Sequence, residues 1–198
     1  MIAAVIPTRY HPPELDVLLA QLAADGVTPI VLESDNHDHR IYRMWNVGAQ
    51  IAWEIGATQI AILNDDIRIL PGTLPLLASL LTDDVGIVYP DIATPLFAGL
   101  PTAPELTSTT GTFGAGGMTG FAFMFRSDVA RRLPFDEAYH WWYGDDACEE
   151  QTRALGYRVC RAEGVPIGHT ANGSASKRWD ELAPLIAQDR ARWEAAHA

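Results

Sequence analysis

The amino-acid sequence predicts an α/β domain in which a mostly parallel sheet is flanked by helices, and three observations predict it. Short apolar runs of four or five residues recur along the chain. Segments of about a dozen residues with helical apolar spacing separate them. Glycine, proline or acidic residues punctuate the joints, as the ends of strands and helices require. At 198 residues, 48% of them hydrophobic, the chain has the apolar mass for one core and too little length for two independent domains.

Each element has its own signal. Ile2 to Ile6 is an apolar run ended by Pro7, as in a strand buried on both faces, and Pro13 to Ala24 has helical spacing closed by Gly26. Pro29 to Leu32 reads as a second strand, Arg43 to Ile55 as a helix stopped by Gly56, and Ile60 to Leu63 as a third strand running into Asn64-Asp65-Asp66. Pro71 to Leu81 predicts a helix and Val85 to Tyr89 a strand. The stretch from Asp91 to Gly117, rich in Pro, Thr and Gly, predicts a long loop or hairpin that faces substrate. Phe121 to Phe125 is apolar enough for a strand, and Ser127 is placed to cap a short helix to Arg132. Asp146 to Leu155 predicts a helix closed by Gly156, Tyr157 to Cys160 a strand, and Lys177 to Ala196 an amphipathic helix with Pro184 in or near its first turn.

Charge and cysteine usage narrow the function. A formal net charge of −11 repels a phosphate backbone, so nucleic-acid binding is disfavoured. The same charge requires a cation or a local arginine wherever a nucleotide diphosphate is to bind, which points to a metal. No apolar run reaches the roughly 18 residues of a membrane span. The N-terminus lacks the basic start and cleavage site of a signal peptide, and the expected location is the cytoplasm. Cys148 and Cys160 have neither metal-ligand spacing nor histidine neighbours and read as reduced, partly buried thiols.

Four groups of residues bear on chemistry. In a parallel α/β sheet ligands sit beyond the carboxyl ends of the strands, and the third strand delivers Asp65 and Asp66 there. Oxygen ligands of this kind suit Mn²⁺ or Mg²⁺, although Asn and Asp also favour turns for their own sake. A second acidic pair, Asp145 and Asp146, comes directly after Trp141-Trp142-Tyr143-Gly144. Either carboxylate suits general-base work, while Asp146 with Glu149 three residues on matches a capping box. His169 is a metal ligand or a structural histidine according to its partners. Trp141, Trp142 and Tyr143 suit stacking on an acceptor or packing in a core. The Gly-rich run 114–120 lacks the Gly-Lys-Ser/Thr ending of a phosphate-gripping loop, and its glycines suit flexibility or close approach to substrate.

Taken in order, Ile6-Pro7-Thr8-Arg9, Leu32-Glu33-Ser34-Asp35-Asn36, Asn46-Val47-Gly48, Leu63-Asn64-Asp65-Asp66, the segment from Gly120 to Arg126, Phe135-Asp136-Glu137, Tyr143-Gly144-Asp145-Asp146, Leu155-Gly156-Tyr157 and His169 resemble the family 2 glycosyltransferases over roughly residues 1–175. The resemblance implies the Rossmann-like GT-A fold in a single domain. Residues 1–90 would form the nucleotide-sugar-binding half, 91–175 the acceptor and catalytic half, and 176–198 a C-terminal helix. It further implies that Pro7, Thr8, Arg9 and Glu33 line the nucleotide pocket, and that Asn64-Asp65-Asp66 replaces the family's DxD-type motif. Asp65 would face ribose or metal, Asp66 would bind the metal and His169 would be a further metal or diphosphate contact. Asp146 falls on the usual base of inverting members, with Asp145 in place of a glutamate, and Thr119 and Gly120 lie with Trp141, Trp142 and Tyr143 on the acceptor side. The expected partners are a nucleotide-diphosphate sugar and a glycan, protein or small-molecule acceptor. The short chain after His169 predicts an acceptor site that is either reduced or completed by a homo-oligomer. A non-catalytic nucleotide-sugar-binding module and a retaining transferase on the same fold are the alternatives, and a nucleotidyltransferase is a weaker third.

Overall fold

Strand β1 (Ile2–Thr8) is the middle of the molecule, and its sequence says why. Ala3 and Val5 face one apolar cluster, Ala4 and Ile6 the other, and all four are fully buried. A strand covered on both faces must be apolar throughout. In the computed structural model, which describes residues 1–33, 40–111, 117–169 and 179–198, the first three strands and two helices take the expected order. Helix α1 (Pro13–Ala24) starts with proline at its first position, where the missing N–H costs nothing. Strand β2 (Thr28–Glu33), helix α2 (Ile41–Glu54) and strand β3 (Gln59–Leu63) come next. Both β2 and β3 pair in parallel with β1, so all three strands end on the same edge.

The remaining elements are β4 (Ile67–Arg68), α3 (Thr73–Ser79), β5 (Val85–Asp91), β6 (Leu106–Ser108), β7 (Ala122–Arg126), α4 (Ser127–Arg132), α5 (Gly144–Ala154), β8 (Arg158–Pro166), β9 (Gly168–His169) and α6 (Trp179–Ala196). The main sheet has the order β2-β1-β3-β7-β5-β8-β6. Five of its seven strands run one way; β7 opposes β3 and β5, and the edge strand β6 opposes β8. Helices α1 and α3 cover one face through Leu15, Leu18, Leu22, Leu74 and Leu77. On the other face lie Tyr42, Trp45, Ala49 and Ala52 of α2 and Cys148 of α5. Gly48 lets α2 approach β1 closely, since a Cβ there would overlap the Val5 side chain.

Four local expectations are refined or corrected. The 91–117 stretch, expected as a long loop or hairpin, contains a 3-10 turn at Leu96–Ala98 and the edge strand β6, which pairs with β8. Ser127 does not cap α4: the cap position is Arg126, with no side-chain cap bond, and its guanidinium grips Asp128. Pro184 lies inside α6, past the first turn. The capping box at Asp146 is not formed, because α5 begins two residues earlier, at Gly144, behind Tyr143 in a left-handed conformation. Both cysteines are free and buried, and burial pushes the Cys148 thiol up to about 12. No helix among the described residues is long and apolar enough to cross a membrane. Ser34, Asp35 and Asn36, the first three residues of the Gly114–Gly120 run, Ala171 to Ser174 and the expected helix start at Lys177 lie outside the described residues.

Candidate active site

The common edge of β1, β2 and β3 gathers the residues expected at the nucleotide pocket. Thr8 and Glu33 are register partners at the ends of β1 and β2. The buried Thr8 hydroxyl donates to Asp65 Oδ2 at 2.7 Å and accepts from the His11 backbone N–H at 3.2 Å. His11 takes the left-handed conformation at φ 44°, which a non-glycine residue adopts at a cost and which is typical of a functional turn. Its ring lies 2.9 Å from Asp16 Oδ1 and 3.9 Å from the exposed Glu33 carboxylate. The Asp16 hydrogen bond raises its pKa. Pro7 precedes this turn within β1.

Arg9 directly follows Thr8 at this edge. Its guanidinium lies 5.2 Å from the centre of the Tyr10 ring, and Nη1 is buried without a hydrogen bond, 3.8 Å from Glu181 on α6. A buried guanidinium nitrogen that makes no hydrogen bond is a donor in want of an acceptor.

Beyond β3 the chain turns through Asn64, Asp65 and Asp66 into β4. The Asn64 N–H donates to the Phe121 carbonyl at 2.8 Å, which fastens the turn to the residue before β7. Burial pushes the Asp65 carboxyl up, the Thr8 bond opposes this and the Asp66 charge adds to it. The two-residue ribbon of β4 and β9 then pairs Ile67 with His169. This sets the His169 ring against Asp66, with Nε2 3.2 Å from Oδ1, and stacked on Phe121 at 4.4 Å and 9°. Asp66 Oδ1 is buried and makes no hydrogen bond. An unsatisfied carboxylate oxygen beside an imidazole nitrogen is a donor set that fits a divalent cation of the Mn²⁺ type. Asp65, the third expected ligand, is turned to Thr8, and no group of three or more ligands is assembled among the described residues.

The second acidic pair approaches the same short segment that fastens this turn. Gly120 sits directly against Asp145, where a Cβ would overlap the carboxylate, while the next residue, Phe121, backs Asn64 and His169. The Thr119 hydroxyl is buried without a partner. Asp145 accepts a hydrogen bond from Tyr42 on α2 at 3.2 Å. Although the residue keeps some solvent access, protein surrounds its carboxyl, and burial together with the Asp146 charge pushes it up to about 7. Asp146 is buried in the first turn of α5, where the helix N-terminus favours negative charge. Gly120→Ala is therefore expected to displace Asp145 and lower any activity that depends on it at least tenfold, a change read in initial rates with circular dichroism confirming the fold.

Glu149, the supposed partner in the capping box, points elsewhere. It is fully buried and accepts from the Thr109 hydroxyl, the Met118 N–H and Arg153, holding the chain on both sides of residues 112–116. Of the aromatic run, Trp142 is the most exposed, at 39%, while Tyr143 stacks on Trp193 of α6 at 5.4 Å and 20°. Asn46 is structural: it brackets Phe135 by both backbone groups and bonds Glu137, linking two segments of the motif series. Tyr42 and Asp189 escape the reading of the sequence. A tyrosine on the apolar face of a helix reads as core. Asp189, however, carries a signal, since it falls in the buried stripe Leu182, Ile186, Asp189.

No protein-family model matches the chain, and comparison with characterised proteins finds no significant match. Solved structures do resemble it. The catalytic domain of Drosophila β1,4-galactosyltransferase 7, in complex with xylobiose, superposes with a TM-score of 0.59 at 19% identity, covering 90% of this chain and 72% of that one. A mannosyltransferase from Pyrobaculum calidifontis, in complex with GDP-mannose and Mn²⁺, gives 0.57 at 16% identity and covers 98% of this chain and 64% of that one. A glycosyltransferase involved in glycosylation of the major capsid of PBCV-1 gives 0.55 at 10% identity, with 92% and 98% covered. With its mostly parallel sheet and flanking helices, the chain has the GT-A glycosyltransferase fold.

Proposed function

We propose that this protein is a metal-dependent glycosyltransferase, of the kind the family 2 resemblance implies, that moves a sugar from a nucleotide diphosphate to an acceptor hydroxyl with inversion. One observation carries the reading. Gly120 abuts Asp145 while the next residue, Phe121, stacks on His169 and accepts from the Asn64 N–H, so a candidate cation pair, Asp66 and His169, and a candidate base adjoin one short segment. The neighbours' complexes with UDP-galactose or GDP-mannose and Mn²⁺ agree with it.

In this reading Pro7, Thr8, Arg9, Glu33, Asn64 and Asp65 hold the nucleotide, with the Arg9 guanidinium offsetting charge on the diphosphate. Asp66 and His169 would hold a Mn²⁺ or Mg²⁺ ion, with Asp65 nearby, and that ion would offset charge on the diphosphate. The acceptor rests on Thr119, Gly120, Trp141, Trp142 and Tyr143. Asp146 takes the proton of the acceptor hydroxyl as that oxygen bonds to the anomeric carbon. The bond from that carbon to the diphosphate breaks, and the nucleoside diphosphate leaves with the electron pair. Asp145, pushed up to about 7, would be ionised above neutral pH, and its charge would strengthen Asp146 as the base. The two halves, 1–90 and 91–175, act as one catalytic domain.

The test is a melting-temperature panel of UDP, GDP, dTDP and CDP with and without Mn²⁺. A ligand that binds only the native state raises the melting temperature by mass action. One nucleotide is expected to give a metal-dependent rise that Asp66→Ala abolishes. A panel without any shift would remove the donor site from this reading.

A further inference from the structure

Resting on the transferase reading above, we propose that Asp189 of α6 is a positioning residue for the acceptor side, holding the aromatic strap 140–143 and through it the orientation of the Asp145–Asp146 pair. The side chain is 1% exposed, yet it carries a carboxylate with four polar contacts directed at one short segment. Oδ1 accepts from the His140 N–H at 2.9 Å and lies 3.1 Å from His140 Nδ1. Oδ2 accepts from the Trp141 N–H at 2.7 Å and the Trp142 N–H at 3.0 Å. A buried charge persists only where such bonds replace its hydration, so the aspartate is there for this segment and not for the packing of its own helix.

The strap needs holding because it ends in a strained turn. Tyr143 stands at φ 69°, a left-handed conformation that is costly for a non-glycine residue and lasts only when neighbours over-determine it. Trp193, one helical turn beyond Asp189, stacks on its ring. Tyr42 donates to the Trp141 carbonyl at 3.1 Å and to Asp145, joining the strap to the acidic pair. Gly144 has no room for a side chain, since a Cβ would meet the Tyr42 ring at 2.5 Å. The turn that aims Asp145 and Asp146 is thus clamped from below by Tyr42 and from above by α6. The same helix begins beside the donor edge, where Glu181 lies near Arg9. Loss of Asp189 therefore disturbs Trp141, Trp142 and the acidic pair while leaving β1, β3 and the β4–β9 ribbon in place.

The experiment compares the full-length parent with Asp189→Asn and Asp189→Ala. Three readouts are taken: the melting shift with UDP or GDP plus Mn²⁺, nucleotide release from UDP- and GDP-sugars with and without a panel of p-nitrophenyl glycosides, and amide hydrogen exchange of residues 140–146. In Asp189→Asn the nucleotide shift is expected to match the parent, the strap amides to exchange faster, and acceptor-stimulated release to fall at least tenfold, mainly through the acceptor KM. The isosteric asparagine keeps the test open if Asp189→Ala does not fold. Parent-like exchange and acceptor kinetics in Asp189→Asn would overturn the assignment, as would a loss of nucleotide binding in step with transfer, which marks a global structural role. A parent that neither binds nor releases nucleotide overturns the transferase reading itself, and this assignment with it.

Discussion

Asp146→Asn is expected to lower transfer by about 10²–10⁴-fold, the usual contribution of a general base, with nucleotide and metal binding retained. Asp145→Asn is expected to cost less, on the order of tenfold, and to change the pH profile instead. The two carboxyls are sequence neighbours, and burial with the Asp146 charge pushes Asp145 up to about 7. In the parent, protonation of Asp145 as the pH drops through about 7 removes a negative charge beside Asp146 and weakens it as a base, so rates should fall there. Asparagine at position 145 removes one charge from the pair. The inflection near 7 should then be absent. Initial rates from pH 5 to 9 on the parent and both variants decide this. Transfer unchanged in Asp146→Asn would leave the pair without a catalytic role and favour a nucleotide-sugar-binding module.

The first half of the molecule was legible because its elements are consecutive and periodic. β1, α1, β2, α2 and β3 each bury a run or a stripe that a single pass along the sequence detects, and the parallel pairing then puts Thr8, Glu33 and Asp65 on one edge. The second half was harder for physical reasons. β4 and β9 are two residues each, too short for any alternation, yet their pairing is what brings His169 to Asp66 across about a hundred residues of chain. β6 is a three-residue edge strand with two exposed residues, and its partner lies some fifty residues on. The Asp146–Glu149 pattern fits a capping box, but Glu149 makes its bonds to Thr109, Met118 and Arg153, and a cap has no claim on a side chain so engaged. Local patterns state what a backbone would accept; tertiary partners decide which side chains remain to supply it.

Asp145→Asn is also expected to stabilise the fold above neutral pH, and the gain should vanish in acid. An unfolded aspartate titrates near 3.8, whereas the folded one is pushed up to about 7. Between those values the folded state binds more protons than the unfolded state, so this group's contribution to stability is complete below about 3.8 and is lost as the pH rises through about 7. At about 1.4 kcal/mol for each pH unit, and allowing for the solvent access that Asp145 keeps, the charge costs on the order of 2–4 kcal/mol at pH 8. The asparagine carries no such cost and still accepts the Tyr42 hydrogen bond. For a domain of this size that corresponds to a melting temperature higher by roughly 5–10 °C at pH 8, shrinking to nothing near pH 4. Differential scanning calorimetry across pH 4 to 8 checks it, and a pH-independent difference would mean that the carboxylate is not strained by its setting. A variant both more stable and less active would show that the protein holds a charge where folding alone would not place one. A carboxyl kept reluctant to ionise beside Gly120 costs stability, and its charge next to Asp146 would strengthen that residue as the base when an acceptor hydroxyl arrives.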